Sequence, residues 1–269
     1  MLGASRGSLA ALSAMIDTRR TDPAMGSLGA ELFAVCDLLG RDKQLRVALA
    51  DSGQPVATRE GVVRQLFGSR VSGLAVDTLV AVATSRWSSD QDLVAAVESL
   101  ADQAVFITAE ASSTLDATED EIFRFGRAID ASSELQMTLT DPALAGAAKS
   151  AIVRDLLAGR ATEATRAVLE FAVSHLRGRR IDAVVDELGD LAARQRQRIV
   201  AEVRVARPLS PDQERRLAAA LSRLKGRTVR LNVAIDPEVL GGVHVKVGDE
   251  VIDGTVAYRM EQARRALLG

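Results

Sequence analysis

Cysteine is nearly absent: Cys36 stands alone among 269 residues. A single thiol excludes an internal disulfide and a cysteine-built zinc site. It lies among Ala34, Val35, Leu38 and Leu39, so it reads as a buried small hydrophobe. Aromatics make up only 3%, which leaves the core to Ala, Leu and Val. No apolar run reaches the roughly 18 to 20 residues that span a bilayer. Arg6 followed by residues 9–16 is a faint signal-peptide pattern. Its apolar stretch is weak, and Asp17, Arg19 and Arg20 follow. An amphipathic first helix is the better reading, and a cytoplasmic location is expected.

Catalytic constellations are missing as well. No glycine is followed at the right spacing by Gly-Lys-Ser/Thr, and Gly241, Gly242 and Gly248 make no dinucleotide fingerprint. The two histidines, His175 and His244, lie in different expected domains, and neither has a Ser or Cys arranged as a triad partner. His175 sits on an expected helix and reads as solvated or packing. His244 alternates with Val243 and Val245, which points it from the outer face of a strand. The acidic run Glu119-Asp120-Glu121 reads as a solvated helix start, and residues 177–180 as a basic helix end, each favourable against the helix dipole. No catalytic residue, cofactor or metal is expected.

What is abundant is apolar and helix-favouring. Hydrophobic residues reach 47%, and Ala and Leu lose little side-chain entropy in a helix. From residue 4 to about 195 the apolar residues recur at three- and four-residue spacing. Leu28, Leu32, Val35, Leu38 and Leu39 form one stripe. Leu74, Val76, Leu79 and Val82 form a second, and Leu93, Val94, Val97 and Leu100 a third. Gly40, residues 51–55, Gly68, Gly73 and residues 87–90 break the pattern between them. Amphipathic helices of this kind bury their stripes together in a bundle. Trp87, the lone Trp, is expected to anchor the bundle edge.

The pattern then returns. Residues 32–70 match 122–160 at an offset of 90: Phe33 with Phe123, Leu45 with Leu135, Leu49 with Leu139, Asp51 with Asp141. Val63 pairs with Val153, Arg64 with Arg154, Leu66 with Leu156, Arg70 with Arg160 and Leu79 with Leu169. This predicts an internal duplication of one helical unit of about 90 residues, with an extra helix over residues 5–16 before the first copy.

From Ile199 the period changes to two. Ile199, Val200, Val203 and Val205 predict a half-buried strand. Ser210-Pro211-Asp212-Gln213 predicts a helix start, with Ser210 as cap and Gln213 completing a capping box. That helix carries Leu217, Leu221 and Leu224 inward and ends near Gly226. Val229, Leu231, Val233 and Ile235 predict a second strand. Asp236-Pro237 turns the chain, Gly241-Gly242 precedes a strand over 243–247, and Gly248-Asp249-Glu250 makes a hairpin into Val251-Ile252. Asp253-Gly254 ends the strand, and Thr255 caps a last helix. The fold expected is mainly α, an N-terminal helical bundle apparently duplicated, with a small C-terminal α+β domain. The expected boundaries are 1–112, 113–196 and 197–269.

Charge divides unevenly along this plan. Residues 1–193 carry 19 basic and 27 acidic side chains, and residues 194–269 carry 15 and 9. A net of about −8 against +6 points to different partners for the two parts. A nucleic-acid-binding adaptor would use such a basic tail. It would lack an aromatic platform, because Tyr258 is the only aromatic after Phe171.

One resemblance sharpens the reading. Val203, Ala206, Pro208-Leu209-Ser210, Val229, Asp236-Pro237, Leu240-Gly241-Gly242, Val245, Val247-Gly248-Asp249 and Val251-Ile252-Asp253-Gly254 form a long ordered pattern. It resembles the delta subunit of bacterial F-type ATP synthases, the relative of the oligomycin-sensitivity-conferring protein. Gly3-Ala4-Ser5-Arg6 is similar to the start of long actinobacterial-type members. The resemblance implies a non-catalytic stator subunit, peripheral at the cytoplasmic face of the membrane and held there only through the complex. Its implied partners are the N-terminal helices of the alpha subunits and the C-terminal end of the b subunit, with no nucleic acid. It also implies a helix-in-groove grip, here near Leu9, Leu12, Met15, Leu79 and Val82. Asp236, Pro237, Gly241, Gly242, Gly248, Asp249, Asp253 and Gly254 are read as fold-shaping residues of the C-terminal domain. Typical members have one helical domain; this chain is expected to have two.

Overall fold

The computed structural model describes residues 3–196, 199–225, 229–236, 239, 241–247 and 250–253. The chain divides into two compact units, Met1–Gln195 and Arg196–Gly269.

The first unit is helical. Its elements are α1 (Ala4–Thr18), α2 (Met25–Arg41), α3 (Lys43–Ala50), α4 (Val56–Phe67), α5 (Gly73–Thr84), α6 (Asp90–Ala111), α7 (Leu115–Ala131), α8 (Ser133–Thr140), α9 (Gly146–Leu157), α10 (Glu163–Ser174) and α11 (Ile181–Arg196). Short polar side chains start many of them. Asp42, Ser72, Ser89, Ser132 and Thr162 each accept a hydrogen bond from a backbone N–H of the first turn, satisfying a donor that the helix leaves orphaned.

Helices α7–α10 each begin and end 90 residues after α2–α5. Side chains repeat with them. Leu49 and Leu139, Val63 and Val153, and Leu79 and Leu169 are buried pairs. Glu31 accepts from the Ser72 N–H at 3.0 Å and its hydroxyl at 2.6 Å. Ninety residues on, Glu121 accepts from the Thr162 N–H at 2.8 Å and its hydroxyl at 3.0 Å. Glu121 is therefore tied to the start of α10 and not solvated, as the sequence reading of the acidic run had it. A cap that needs a carboxylate across the bundle leaves no trace in the local sequence.

Helix α6 lies between the two sets, and no residue from Asp92 to Glu110 is exposed. A helix covered on every side packs neighbours all round. Glu98, Asp102 and Gln103 are buried with its apolar residues. Glu98 is paired with Arg177 and with Arg179, the latter at 2.6 Å. Residues 177–180 thus lie in the loop between α10 and α11, not on a basic helix end; the buried Glu98 recruits Arg177 and Arg179, and Arg180 pairs with Asp182 at 2.6 Å. Leu38 also departs from its expected stripe. It is 39% exposed, because Leu28, Leu32, Val35 and Leu39 already define the inward face. Cys36 is fully buried, and Trp87 is buried with its indole N–H donating to the Val82 carbonyl at 2.8 Å.

The second unit holds β1 (Ile199–Val205), α12 (Pro211–Lys225), β2 (Val229–Ile235), β3 (Val243–Val247) and β4 (Glu250–Asp253). The strand order is β2-β1-β3-β4. β1 and β2 are parallel, and β3 is antiparallel to both β1 and β4. Parallel neighbours need a crossover, which α12 supplies. The expected capping box is present: the Ser210 N–H donates to Gln213 Oε1 at 2.8 Å, and the Gln213 N–H to Ser210 Oγ at 3.3 Å. Ala201, Val203, Val205, Leu221, Val229 and Val245 form the small core. Leu224 and Ile235, expected inward, are 66% and 59% exposed. Leu224 is in the last turn of its helix, and Ile235 ends an edge strand.

Candidate functional site

The residues expected to grip a partner helix lie on α1 and α5. Polar bonds fix α1 in place. The Ser8 hydroxyl donates to the Arg86 carbonyl at 2.8 Å, and the Ser88 N–H donates to Ser5 Oγ at 2.8 Å. The Gln103 amide, from α6, donates to the Ser13 carbonyl at 3.0 Å and to Asp17 Oδ1 at 3.1 Å. Leu12, Leu79 and Val82 are buried, while Leu9 and Met15 are half-buried and pack on the core from its edge. Three of the five residues are thus core, and two lie at its edge.

The second place of note joins the two helical sets. The rings of Phe33 on α2 and Phe171 on α10 stack with centroids 4.2 Å apart, and His175 stacks on the other side of Phe171 at 4.1 Å. His175 Nε2 lies 3.0 Å from Asp37 Oδ1. His175 therefore caps the end of α10 and bridges to α2, a role its sequence neighbours do not disclose. A cleft of about 820 Å³ opens beside this stack, lined by Asp37, Arg41, Ser150 and Arg154 among others. Its charges are compensated within the protein: Arg41 pairs with Asp37 at 2.7 Å and Arg154 with Glu170 at 2.6 Å.

Two buried groups near α6 are displaced from their ordinary acidity. Burial pushes the Cys36 thiol up, with Arg177 opposing. Burial pushes the Asp102 carboxyl up to about 8, against the pull of the Arg179 guanidinium. A buried, poorly ionised thiol is not a nucleophile.

In the second unit Gly241 and Gly242 have φ of 79° and 82°. This left-handed backbone is open to glycine at little cost and strains other residues, so the pair shapes the entry to β3. Asp236 donates its N–H to the Val205 carbonyl at 2.9 Å and its carboxylate lies 3.7 Å from Arg204. Asp253 closes β4, opposite His244 of β3. Pro237, Gly248, Asp249, Gly254 and the helix expected after Thr255 lie outside the described residues. Among the described residues no three His, Cys, Asp or Glu side chains gather as a metal site, and no helix is long and apolar enough to cross a membrane.

A family model described as "ATP synthase delta (OSCP) subunit" matches residues 100–267. The matched span opens inside α6 and so takes in the second helical set and the α+β unit. The ATP synthase subunit delta of Streptomyces avermitilis is 45% identical, over 98% of this chain and 98% of its own. That of Streptomyces griseus subsp. griseus is 42% identical over the whole of both chains, and that of Kineococcus radiotolerans 39% over 99% and 98%. A chain of the cryo-EM structure of the Toxoplasma gondii mitochondrial ATP synthase hexamer is similar over 64% of this chain and 97% of its own, at 19% identity and a TM-score of 0.30. The matches to the three bacterial relatives run through the first helical set as well as the second. The chain belongs to the ATP synthase delta (OSCP) subunit family.

Proposed function

We propose that the chain is a non-catalytic stator subunit of an F-type ATP synthase, linking the catalytic head to the peripheral stalk so that the head resists rotor torque. The full-length similarity to ATP synthase delta subunits carries this reading. The fold suits the task. A connector under torque needs rigid bodies and binding faces, not a reactive centre, and the charged clusters of the helical unit are paired internally.

The partners follow from the same reading. The helical unit takes the N-terminal helix of an alpha subunit at the α1/α5 crease, by a helix-in-groove mode. The C-terminal unit takes the end of the b subunit. Membrane association comes through the complex, at the cytoplasmic face. The two helical sets are copies of one ancestral domain, the second being the counterpart of the family's usual single one.

The test is direct binding of the full chain to the purified catalytic head and to a soluble segment of the b subunit from the same organism. Co-elution with each is expected. Failure to bind either overturns the proposal.

A further inference from the structure

The seam between α2 of the first set and α10 of the second holds an imidazole with oxygen at both ring nitrogens. His175 Nδ1 lies 3.1 Å from the Phe171 carbonyl and 2.9 Å from Ser174 Oγ, and Nε2 lies 3.0 Å from Asp37 Oδ1. A carbonyl and a carboxylate accept and do not donate. The Ser174 hydroxyl has its own acceptors, the Glu170 and Phe171 carbonyls, each at 2.9 Å, which leaves its oxygen to accept from the ring. A neutral imidazole has one N–H and an imidazolium two. The imidazolium alone donates on both sides, to the last turn of its own helix and to α2 of the other set. Its position at the C-terminal end of α10 favours the same charge, because a helix dipole attracts cations there.

The charges around the ring leave Asp37 as its counter-ion. From α2, Arg41 also pairs with Asp37 at 2.7 Å, but its side chain is 78% exposed, so water screens it. From α9, Arg154 is paired with Glu170 of α10 at 2.6 Å. From the loop after α10, Arg177 is paired with Glu98 of α6. Arg154 and Arg177 thus each have a carboxylate of their own. His175 and Asp37 are both partly buried, where a charge pair is screened less than on the surface. The Phe33–Phe171 stack on the same seam carries no titratable group.

We infer that His175 is a proton-operated latch between the two helical sets. Protonated, it ties the end of α10 to Asp37 by a charge-assisted hydrogen bond, which is roughly twice as strong as a neutral one. Deprotonated, it has one N–H for the Phe171 carbonyl and Asp37 together, and the attraction between unlike charges is gone. The seam then rests on the aromatic stack and the packing around it. Histidine changes charge between about pH 5 and 8, so the latch is closed on the acid side of that range and loosens as pH rises through it. The contacts lie within one chain, and the latch holds whether or not the stator reading does.

Amide hydrogen exchange of the full chain tests this, corrected for the intrinsic pH dependence of exchange. The last turn of α10 is followed, with α4 (Val56–Phe67) as a reference that carries any change in the whole unit, including one from Asp102. From about pH 5.5 to about pH 8, protection at the end of α10 is expected to fall about tenfold relative to α4. His175→Phe keeps a ring for the stack and has no donor, and it is expected to show the low protection at every pH. His175→Gln keeps an uncharged N–H donor, and Asp37→Asn removes the counter-ion; each is expected to flatten the pH dependence. An equal fall at the end of α10 and in α4 overturns the latch. So does a parent-like pH dependence in either His175 variant or in Asp37→Asn.

Discussion

Phe33 stacks on Phe171 across 138 residues of chain, with centroids 4.2 Å apart and planes inclined by 23°. The contact ties the first helical set to the second. Its register mate Phe123, at the same place on α7, is 66% exposed. One side chain type at one repeat position is thus a clamp in one set and surface in the other. Phe33→Ala is expected to cost about 3 kcal/mol, as a buried aromatic truncation does, and Phe123→Ala less than about 0.5 kcal/mol. Urea midpoints for the two variants check this; equal losses would contradict it.

The carboxylate caps give a matched pair of tests. Ser72→Ala and Thr162→Ala each remove an N-cap and the hydroxyl that Glu31 or Glu121 accepts from. Each is expected to lose about 1 to 2 kcal/mol. Glu31→Ala and Glu121→Ala are expected to lose similar amounts, and each double variant less than the sum of its singles, because the partners share one interaction. Additive losses in denaturant titrations would contradict the pairing.

Asp102 sets a pH dependence. Its carboxyl is raised from an ordinary 3.8 to about 8 by burial, so the folded state holds a proton that the unfolded state releases. Stability from this group is full below its ordinary value and declines as pH rises toward 8, by roughly 1.4 kcal/mol per pH unit. Asp102→Asn removes the decline. The variant is expected to gain on the parent steadily between about pH 4 and 8 and to hold that gain above. A pH-independent difference between the two in denaturant midpoints would contradict the assignment.

Gly241→Ala tests the strand entry. With φ at 79° an alanine is strained by about 1 to 2 kcal/mol. Faster amide exchange is expected in β3, with the helical unit, Met1–Gln195, unaffected. Unchanged exchange in β3 would contradict the role.

Much of this architecture was legible in the residues themselves. The 90-residue register survives because Leu49, Val63 and Leu79 fill core places that Leu139, Val153 and Leu169 fill again. The capping box at Ser210 and the glycine pair at 241–242 are local signals with local causes. The role of α6 was not legible. Its stripe of Leu93, Val94, Val97 and Leu100 marks one inward face, yet the polar Glu98, Asp102 and Gln103 are buried as well. Their partners come from distant residues: Arg177 and Arg179 meet Glu98 there, and the Gln103 amide reaches Ser13 and Asp17 of α1. The groove residues show the same limit. The family resemblance led to Leu9, Leu12, Met15, Leu79 and Val82, of which Leu12, Leu79 and Val82 are core.

The connector role is tested most directly on inverted membrane vesicles of the source organism, stripped of this chain and of the catalytic head. The head and this chain are added back, and ATP-driven proton uptake is followed by acridine-dye quenching. Head alone is expected to hydrolyse ATP in solution without acidifying the vesicles, and head plus this chain to restore acidification. Full acidification without the chain, or none with it, would contradict the role.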